Sequence, residues 1–378
     1  MKIVADENIP FVCECFGSLG RVVSCPASQI TTQLVKDADM LLVRSVTKVG
    51  SGLLAGSSVR FVATATIGFE HIDTAWLAEN NIGFASAPGS NANSVAEYVI
   101  AALLHLAKKY EFSLRDKSIG IVGVGNVGSL VEKKCLALGI KVLLNDPPLQ
   151  RQTGDAKYVP LEELFGCDII TLHTPLTYEG VDKTFHLADG RFFDSLKPGC
   201  IFINTSRGGV VDTSALKDAL STGRIKAAVL DVWEAEPNID TGLLKMVDIA
   251  TPHIAGYSLD GKIAGMIMIY KAACKYFGIE AKNDMNDFLP EPEVPRLKIE
   301  GGNNNEREVL LQTVETIYKI TGDDSRLRQI LDVSPEVRGT FFSDLRKNYP
   351  VRREFQNTKI ISATGDIAEK LRGIGFKV

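Results

Sequence analysis

The chain has 378 residues, 45% of them apolar and 23% charged, and a formal net charge of −4. That is too long for one ordinary core, so two or three domains are expected at roughly 100–200 residues each. The charge balance argues against a bulk pull toward nucleic acid or an anionic membrane, and no run approaches the ~20 apolar residues of a membrane span.

The first ten residues, MKIVADENIP, carry acids and no long apolar core, and are not read as a secretory leader. Seven scattered cysteines without a CxxC pair point to reduced thiols in a cytoplasmic protein, with no metal site expected. Residues 2–5, 21–24, 40–43, 60–64 and 83–86 are short apolar or β-branched runs with helical patterns between them. The continuous run Met40-Leu41-Leu42-Val43 suits a strand buried on both faces, and the alternation predicts a parallel sheet flanked by helices. Two strand ends carry polar side chains, Arg44-Ser45-Val46-Thr47-Lys48 and Thr64-Ala65-Thr66. Ligands of open α/β sheets lie beyond the carboxyl ends of strands, so Arg44, Ser45 and Thr66 are candidate anion ligands. Residues 91–110 read as a helix bridging into the next domain, with Ser94 and Glu97 at capping-box spacing and His105 as a structural residue.

Residues 119–146 are the stretch that organises the chain. An apolar strand leads into Gly123-Val124-Gly125-Asn126-Val127-Gly128, an apolar-periodic helix follows, and the strand Lys141-Val142-Leu143-Leu144-Asn145 ends on Asp146. Strand, glycine turn, helix, strand and terminal acid make a dinucleotide-binding βαβ unit. The glycines allow the turn, the approach of a pyrophosphate and close helix packing, and the helix N-terminus offers free N–H groups. Asp146 suits ribose hydroxyls and would repel a 2′-phosphate, which favours NAD over NADP.

Further strands are predicted at 168–172, 200–204, 227–231 and 247–250. Their ends carry His173-Thr174, Ser206-Arg207, the stretch from Asp231 to Glu236, and His253. Residues 259–277 form a helix returning the chain to the first domain, and the proline-rich 289–295 marks a boundary before a third unit of mixed helix and strand. The expected domains are 1–92, 93–253 with a return at 254–285, and 290–378.

Arg207, Glu236 and His253 carry the chemistry. A nicotinamide enzyme acting on a hydroxy acid needs a cation for the carboxylate, a base for the hydroxyl proton and an acid to orient that base. Arg207 can pair bidentately with a carboxylate, His253 titrates in the useful range, and Glu236 would fix the ring and favour the imidazolium.

The glycine string, residues 196–208, 230–237 and 251–256, in this order and spacing, resemble the D-isomer-specific 2-hydroxyacid dehydrogenases. The resemblance implies a Rossmann-type NAD domain inserted in a flavodoxin-like α/β catalytic domain, with the site in the cleft between them and hinges near 90–93 and 253–257. It also implies Arg207, Glu236 and His253 in the roles above. Val4-Ala5-Asp6-Glu7-Asn8-Ile9-Pro10, residues 42–49, residues 253–262, Leu345-Arg346-Lys347-Asn348-Tyr349 and Arg352-Arg353-Glu354 are similar to the branch that oxidises 4-phospho-D-erythronate at C2, in vitamin B6 synthesis. That branch implies a C-terminal α+β dimerisation domain and hence a homodimer. It implies Ser45, Thr66 and Tyr257 on substrate, and Asp146, Thr174, Ser206, Arg207, Asp231 and Gly256 on NAD. The loop at 64–73 departs from the usual pattern, since relatives have small residues and an aspartate before the histidine. For the substrate phosphate, Arg44 and Lys48 are first candidates, and Arg346, Lys347, Arg352 and Arg353 a second set.

Overall fold

The computed structural model describes residues 1–299 and 305–378. The chain divides into two units, Met1–Asn91 with Ser258–Glu291, and Ala92–Tyr257 with Pro292–Val378.

The first unit is built on β1 (Lys2–Asp6), β2 (Arg21–Cys25), β3 (Met40–Val43), β4 (Phe61–Thr64) and β5 (Gly83–Ala85). They pair in parallel in the order β2-β1-β3-β4-β5, a flavodoxin-like arrangement. Successive side chains on a strand face opposite sides, and this sheet is apolar on both. Ile3, Ala5, Met40, Leu42 and Phe61 pack into one layer with Phe16, Ile263, Met266 and Tyr270. Val4, Leu41, Val43 and Val62 pack into the other with Leu54 and Leu77. The returning helix Leu259–Phe277 starts where Ser258 Oγ accepts the Gly261 N–H at 2.8 Å.

The second unit carries β6 (Ser118–Val122), β7 (Lys141–Asn145), β8 (Ile169–Leu172), β9 (Cys200–Asn204), β10 (Ile225–Leu230) and β11 (Ile249–Ala250). Their order is β11-β10-β9-β8-β6-β7, again parallel. The chain leaves β6 toward β7 on one side and continues through β8 on the other. The carboxyl ends of β6 and β8 therefore flank a topological switch point, where doubly wound sheets bind ligands.

Residues 292–378 contribute β12 (Arg296–Lys298) and β13 (Lys359–Ile361), a parallel pair, and the helices Glu306–Ile317, Ile320–Arg328, Arg338–Lys347 and Gly365–Ile374. The sequence suggests a third domain here, but this segment belongs to the second unit. Leu310, Leu311, Val314, Leu371 and Ile374 share one core with Val99, Leu103, Ile121 and Val131. Leu327, Ile330 and Phe342 share another with Phe202, Leu230 and Trp233. The segment's apolar side chains complete its neighbour's cores.

Two further expectations are corrected. The bridging helix runs Ala92–Lys109, so Ser94 and Glu97 lie inside it and are buried rather than capping its start. The return to the first unit comes at 258 rather than 254. Ile254 and Ala255 stay with the second unit because both N–H groups bond to the Asp231 carboxylate.

Candidate active site

The glycine turn sits between β6 and the helix Asn126–Ala137. Gly123 has φ +86°, a conformation side chains rarely adopt, and a Cβ on Gly128 would lie 2.0 Å from the Gly123 carbonyl oxygen. Gly125 differs, for apart from its chain neighbours no atom of the described residues lies within 4 Å of where its Cβ would be. No side chain caps this helix, so its first N–H groups are left for a ligand. Asp146 stands at the end of β7, where its Oδ2 accepts the Val124 N–H at 2.8 Å and its Oδ1 the Leu149 N–H at 3.0 Å. Each oxygen keeps a further lone pair for a ribose hydroxyl. Thr174 follows β8, adjoins Gly123, and has a buried Oγ1 without a hydrogen-bond partner. An open cradle, uncapped N–H groups, an acid at the second strand end and an orphaned hydroxyl all fit NAD.

His173, beside Thr174, is held between Thr171 Oγ1 at 3.0 Å and Thr205 Oγ1 at 3.2 Å. Burial holds its imidazole down at about 3, so the ring is neutral. The loop after β9 is fixed by Asn204, whose Oδ1 accepts from Ser206 N and Oγ at 3.0 and 2.7 Å. Arg207 Nη1 donates to the Ser206 carbonyl at 2.9 Å. A Cβ on Gly208 would lie 1.9 Å from the Trp233 carbonyl oxygen, so the Arg207 loop runs directly against the stretch leading to Glu236.

Glu236 and His253 meet. His253 Nδ1 lies 2.7 Å from Glu236 Oε2, and Glu236 Oε1 accepts the Trp233 N–H at 2.8 Å. Burial alone would raise the Glu236 carboxyl. The His253 charge, the two hydrogen bonds and the Arg346 charge outweigh it and hold the group below its usual range. An ionised carboxylate only accepts, so Nδ1 carries the proton and Nε2 keeps its lone pair.

Asp231 takes a role the sequence does not suggest. It is 1% exposed, and its carboxylate accepts from Thr251 Oγ1 at 2.6 Å, Ile254 N at 2.7 Å and Ala255 N at 3.0 Å. Its backbone carbonyl accepts the His253 N–H at 2.7 Å. Asp231 therefore shapes the turn that carries His253, which itself has φ +57°. Tyr98 supports Thr251 from the bridging helix, with 2.7 Å between their hydroxyls. Tyr98 carries no motif that would mark it in the sequence, and Thr251 is marked only as the start of the stretch 251–256. Gly256 and Tyr257 complete the loop, and Tyr257 Oη accepts from Arg346 Nη2 at 3.2 Å.

In the first unit, Arg44, Ser45 and Lys48 lie on the loop after β3, and Thr66 on the loop after its neighbour β4. Thr66 Oγ1 donates to the Gly68 carbonyl at 2.9 Å, so Thr64 must donate to Thr66 across 2.6 Å. His71 Nε2, 3.2 Å from Thr64 Oγ1, then donates to Thr64. Burial lowers the His71 imidazole, in keeping with this neutral form. The histidine in the departing loop thus orients the Thr66 hydroxyl, leaving it a lone pair. Of the second set of phosphate candidates, Arg352 is 6% exposed and donates to the Ser94 and Ala255 carbonyls at 3.2 and 2.7 Å. It is a structural tie rather than a ligand.

A family model described as the NAD binding domain of D-isomer specific 2-hydroxyacid dehydrogenases matches residues 98–255. A domain of unknown function (DUF3410) matches residues 288–375. Erythronate-4-phosphate dehydrogenases of Escherichia coli O1:K1 and Shigella flexneri serotype 5b are each 45% identical over 377 residues, covering 100% of this chain and 98% of theirs. D-lactate dehydrogenase from Aquifex aeolicus, solved with NAD and lactic acid, is 27% identical with a TM-score of 0.59, covering 73% of this chain and 95% of that one. NAD-dependent formate dehydrogenase from Staphylococcus aureus in complex with NAD shares the fold at 24% identity and a TM-score of 0.61, covering 75% and 98%. With its NAD-binding βαβ unit and full-length identity to these relatives, the chain is an NAD-dependent oxidoreductase acting on CH–OH and belongs to the erythronate-4-phosphate dehydrogenases of the D-isomer-specific 2-hydroxyacid dehydrogenase family.

Proposed function

We propose that the chain oxidises 4-phospho-D-erythronate at C2 to 2-oxo-3-hydroxy-4-phosphobutanoate, a step of vitamin B6 synthesis. The observation carrying the chemistry is the 2.7 Å pair of His253 and Glu236 beside the loop that bears Arg207. The name shared by full-length relatives supports the substrate. NAD supplies the hydride acceptor. Arg207 holds the C1 carboxylate, His253 Nε2 takes the C2 hydroxyl proton, and Glu236 keeps the ring in its Nδ1–H form and stabilises the resulting imidazolium. The C2 hydrogen leaves with its electron pair as the C–O double bond forms. Gly123, Gly125, Asn126, Val127 and Gly128 cradle the pyrophosphate, Asp146 holds the ribose, and Thr174 and Ser206 complete the cofactor contacts. Ser45, Thr66 and Arg44 meet the substrate. With its one proton given to Gly68, Thr66 can only accept, so it suits a substrate hydroxyl rather than the phosphate or carboxylate.

We also infer a cytoplasmic homodimer. All seven cysteines are free and six are buried, as suits a reducing compartment. No helix among the described residues is long and apolar enough to cross a membrane. Val337 and Val351 of the C-terminal segment are 48% and 71% exposed, and would be partly covered by a second copy.

The test is absorbance of reduced nicotinamide with NAD and 4-phospho-D-erythronate, beside 3-phosphoglycerate and D-lactate. Selective turnover of the first is expected. Turnover of another acid alone would keep the mechanism and overturn the substrate.

A further inference from the structure

We propose that Arg346, from the C-terminal segment, is the residue that reads the substrate phosphate. The inference rests on the phosphorylated substrate proposed above. That substrate carries two anionic groups at opposite ends of a four-carbon chain. Arg207 serves one end, so the other needs a second cation.

Arg346 lies in the last turn of the helix Arg338–Lys347. Its Nη2 donates to Tyr257 Oη at 3.2 Å, and its guanidinium carbon lies 5.8 Å from the centre of the Tyr257 ring. Tyr257 closes the loop that carries His253, and the Arg346 charge is felt at the Glu236 carboxylate. The side chain is therefore fixed close to the reacting pair, within one unit of the chain.

Arg346 also lacks a counter-ion. Among the described residues no carboxylate comes within ion-pair distance of Arg346, and its buried Nε has no hydrogen-bond partner. By contrast, Arg115, Arg326 and Arg328 each pair with an acid. A half-buried guanidinium held directly only by a neutral hydroxyl has no anion bonded to it, and a bound anion would supply one. The planar fork matches two phosphate oxygens at once, which a lysine cannot do. The neighbouring Arg352 also has a buried Nε and Nη1 without hydrogen-bond partners, but at 6% exposed, with its Nη2 on two backbone carbonyls and its guanidinium 4.3 Å from the Tyr318 ring centre, it is sealed away from a substrate.

The experiment compares wild type, Arg346→Gln and Arg346→Lys on 4-phospho-D-erythronate and on unphosphorylated D-erythronate, at saturating NAD. Inorganic phosphate serves as a competing probe, and thermal melts and NAD titrations confirm that each variant folds. Arg346→Gln is expected to lower kcat/KM on the phosphorylated acid on the order of 100-fold, mostly through KM. It should collapse the preference between the two acids and abolish competition by phosphate. Arg346→Lys should recover part of the loss. Equal losses on both acids, with a shifted pH profile, would make Arg346 a positioning residue acting through Glu236 and Tyr257, and would overturn the proposal. An unchanged KM in Arg346→Gln would overturn it while leaving the substrate intact. A wild-type enzyme with no preference for the phosphorylated acid would overturn the substrate reading and this proposal with it.

Discussion

At 2.7 Å from His253 Nδ1, an ionised Glu236 fixes which ring nitrogen carries the proton. Glutamine at this position keeps the shape but can donate as well as accept, so it admits the ring form with Nε2 protonated and the base disabled. Glu236→Gln is therefore expected to lower kcat on the order of 10²–10⁴-fold while NAD still binds, as stopped-flow and NAD titration would show. The same pair contributes to stability with a definite sign. The carboxyl is held below its usual range, so its contribution is present above the unfolded value near ~4.3 and is lost as pH falls through the folded value. Wild type should exceed Glu236→Gln by about 1 kcal/mol in urea unfolding at pH 7, and the gap should close below about pH 4. An equal gap at both pH values would assign the effect to packing instead. Arg207, Glu236 and His253 are all visible in the sequence because each lies in a loop beyond a strand's carboxyl end, Glu236 just before Pro237 and His253 just after Pro252. Asp231 is visible as a residue but not in its role, since only the fold shows its carboxylate turned onto the backbone of 254 and 255.

Between elements, the glycine turn separates two requirements that sequence spacing presents as one motif. Gly128 answers a steric need inside the protein, for a Cβ there meets the Gly123 carbonyl at 2.0 Å. Gly125 meets nothing within 4 Å, so its bareness serves the ligand. Gly125→Ala is expected to melt within a few degrees of wild type but to bind NAD at least ~10-fold more weakly, because the methyl occupies the pyrophosphate's approach. Gly128→Ala is expected to lose about 2 kcal/mol or more of stability, through the displaced turn. Calorimetry and NAD fluorescence titration separate the two, and the idea fails if both variants lose stability alike. The strands of both sheets were legible because a parallel strand buried on both faces is a continuous apolar run, as Met40–Val43 shows. The pair Ser94 and Glu97 misleads for the opposite reason. Their spacing suits a cap, but both reach partners some 260 residues away, where Ser94 Oγ donates to Glu354 and Phe355 N donates to Glu97. Local spacing cannot register a partner so distant in sequence.

For the whole molecule, the decisive fact is that residues 292–378 finish the cores of the nucleotide-binding unit rather than forming their own. A chain ended at 291 would expose the surfaces that Leu311, Val314, Phe342, Leu371 and Ile374 cover, at roughly 1.5–3 kcal/mol for each lost side chain. It is expected to bind ANS and aggregate, and a soluble, ANS-negative product would refute this. Their helices and strands are readable from pattern, but their docking partner is not. The junction also holds a buried charge cluster. Glu97 Oε1 accepts from Asn93 Nδ2 and Phe355 N, both at 3.0 Å, and Lys134 Nζ donates to the Ile374 carbonyl at 2.5 Å. Burial, with Glu354 adding to it, pushes the Glu97 carboxyl up to about 8. The folded protein then holds a proton on Glu97 that the unfolded chain has released, between about pH 4.5 and pH 8. Stability from this group is full below that window and falls as pH rises through it. Lys134, lowered by its own burial, acts in the opposite sense at higher pH, but it is present in wild type and variant alike. Glutamine keeps the acceptor for Phe355 and has no proton to lose. Urea midpoints of wild type and Glu97→Gln should therefore separate as pH rises from 5.5 to 8.5, with the variant gaining on wild type. Parallel curves would mean that Glu97 stays ionised in the folded protein, paired with Lys134 and Arg352, and that the junction is held by charge rather than by a shared proton.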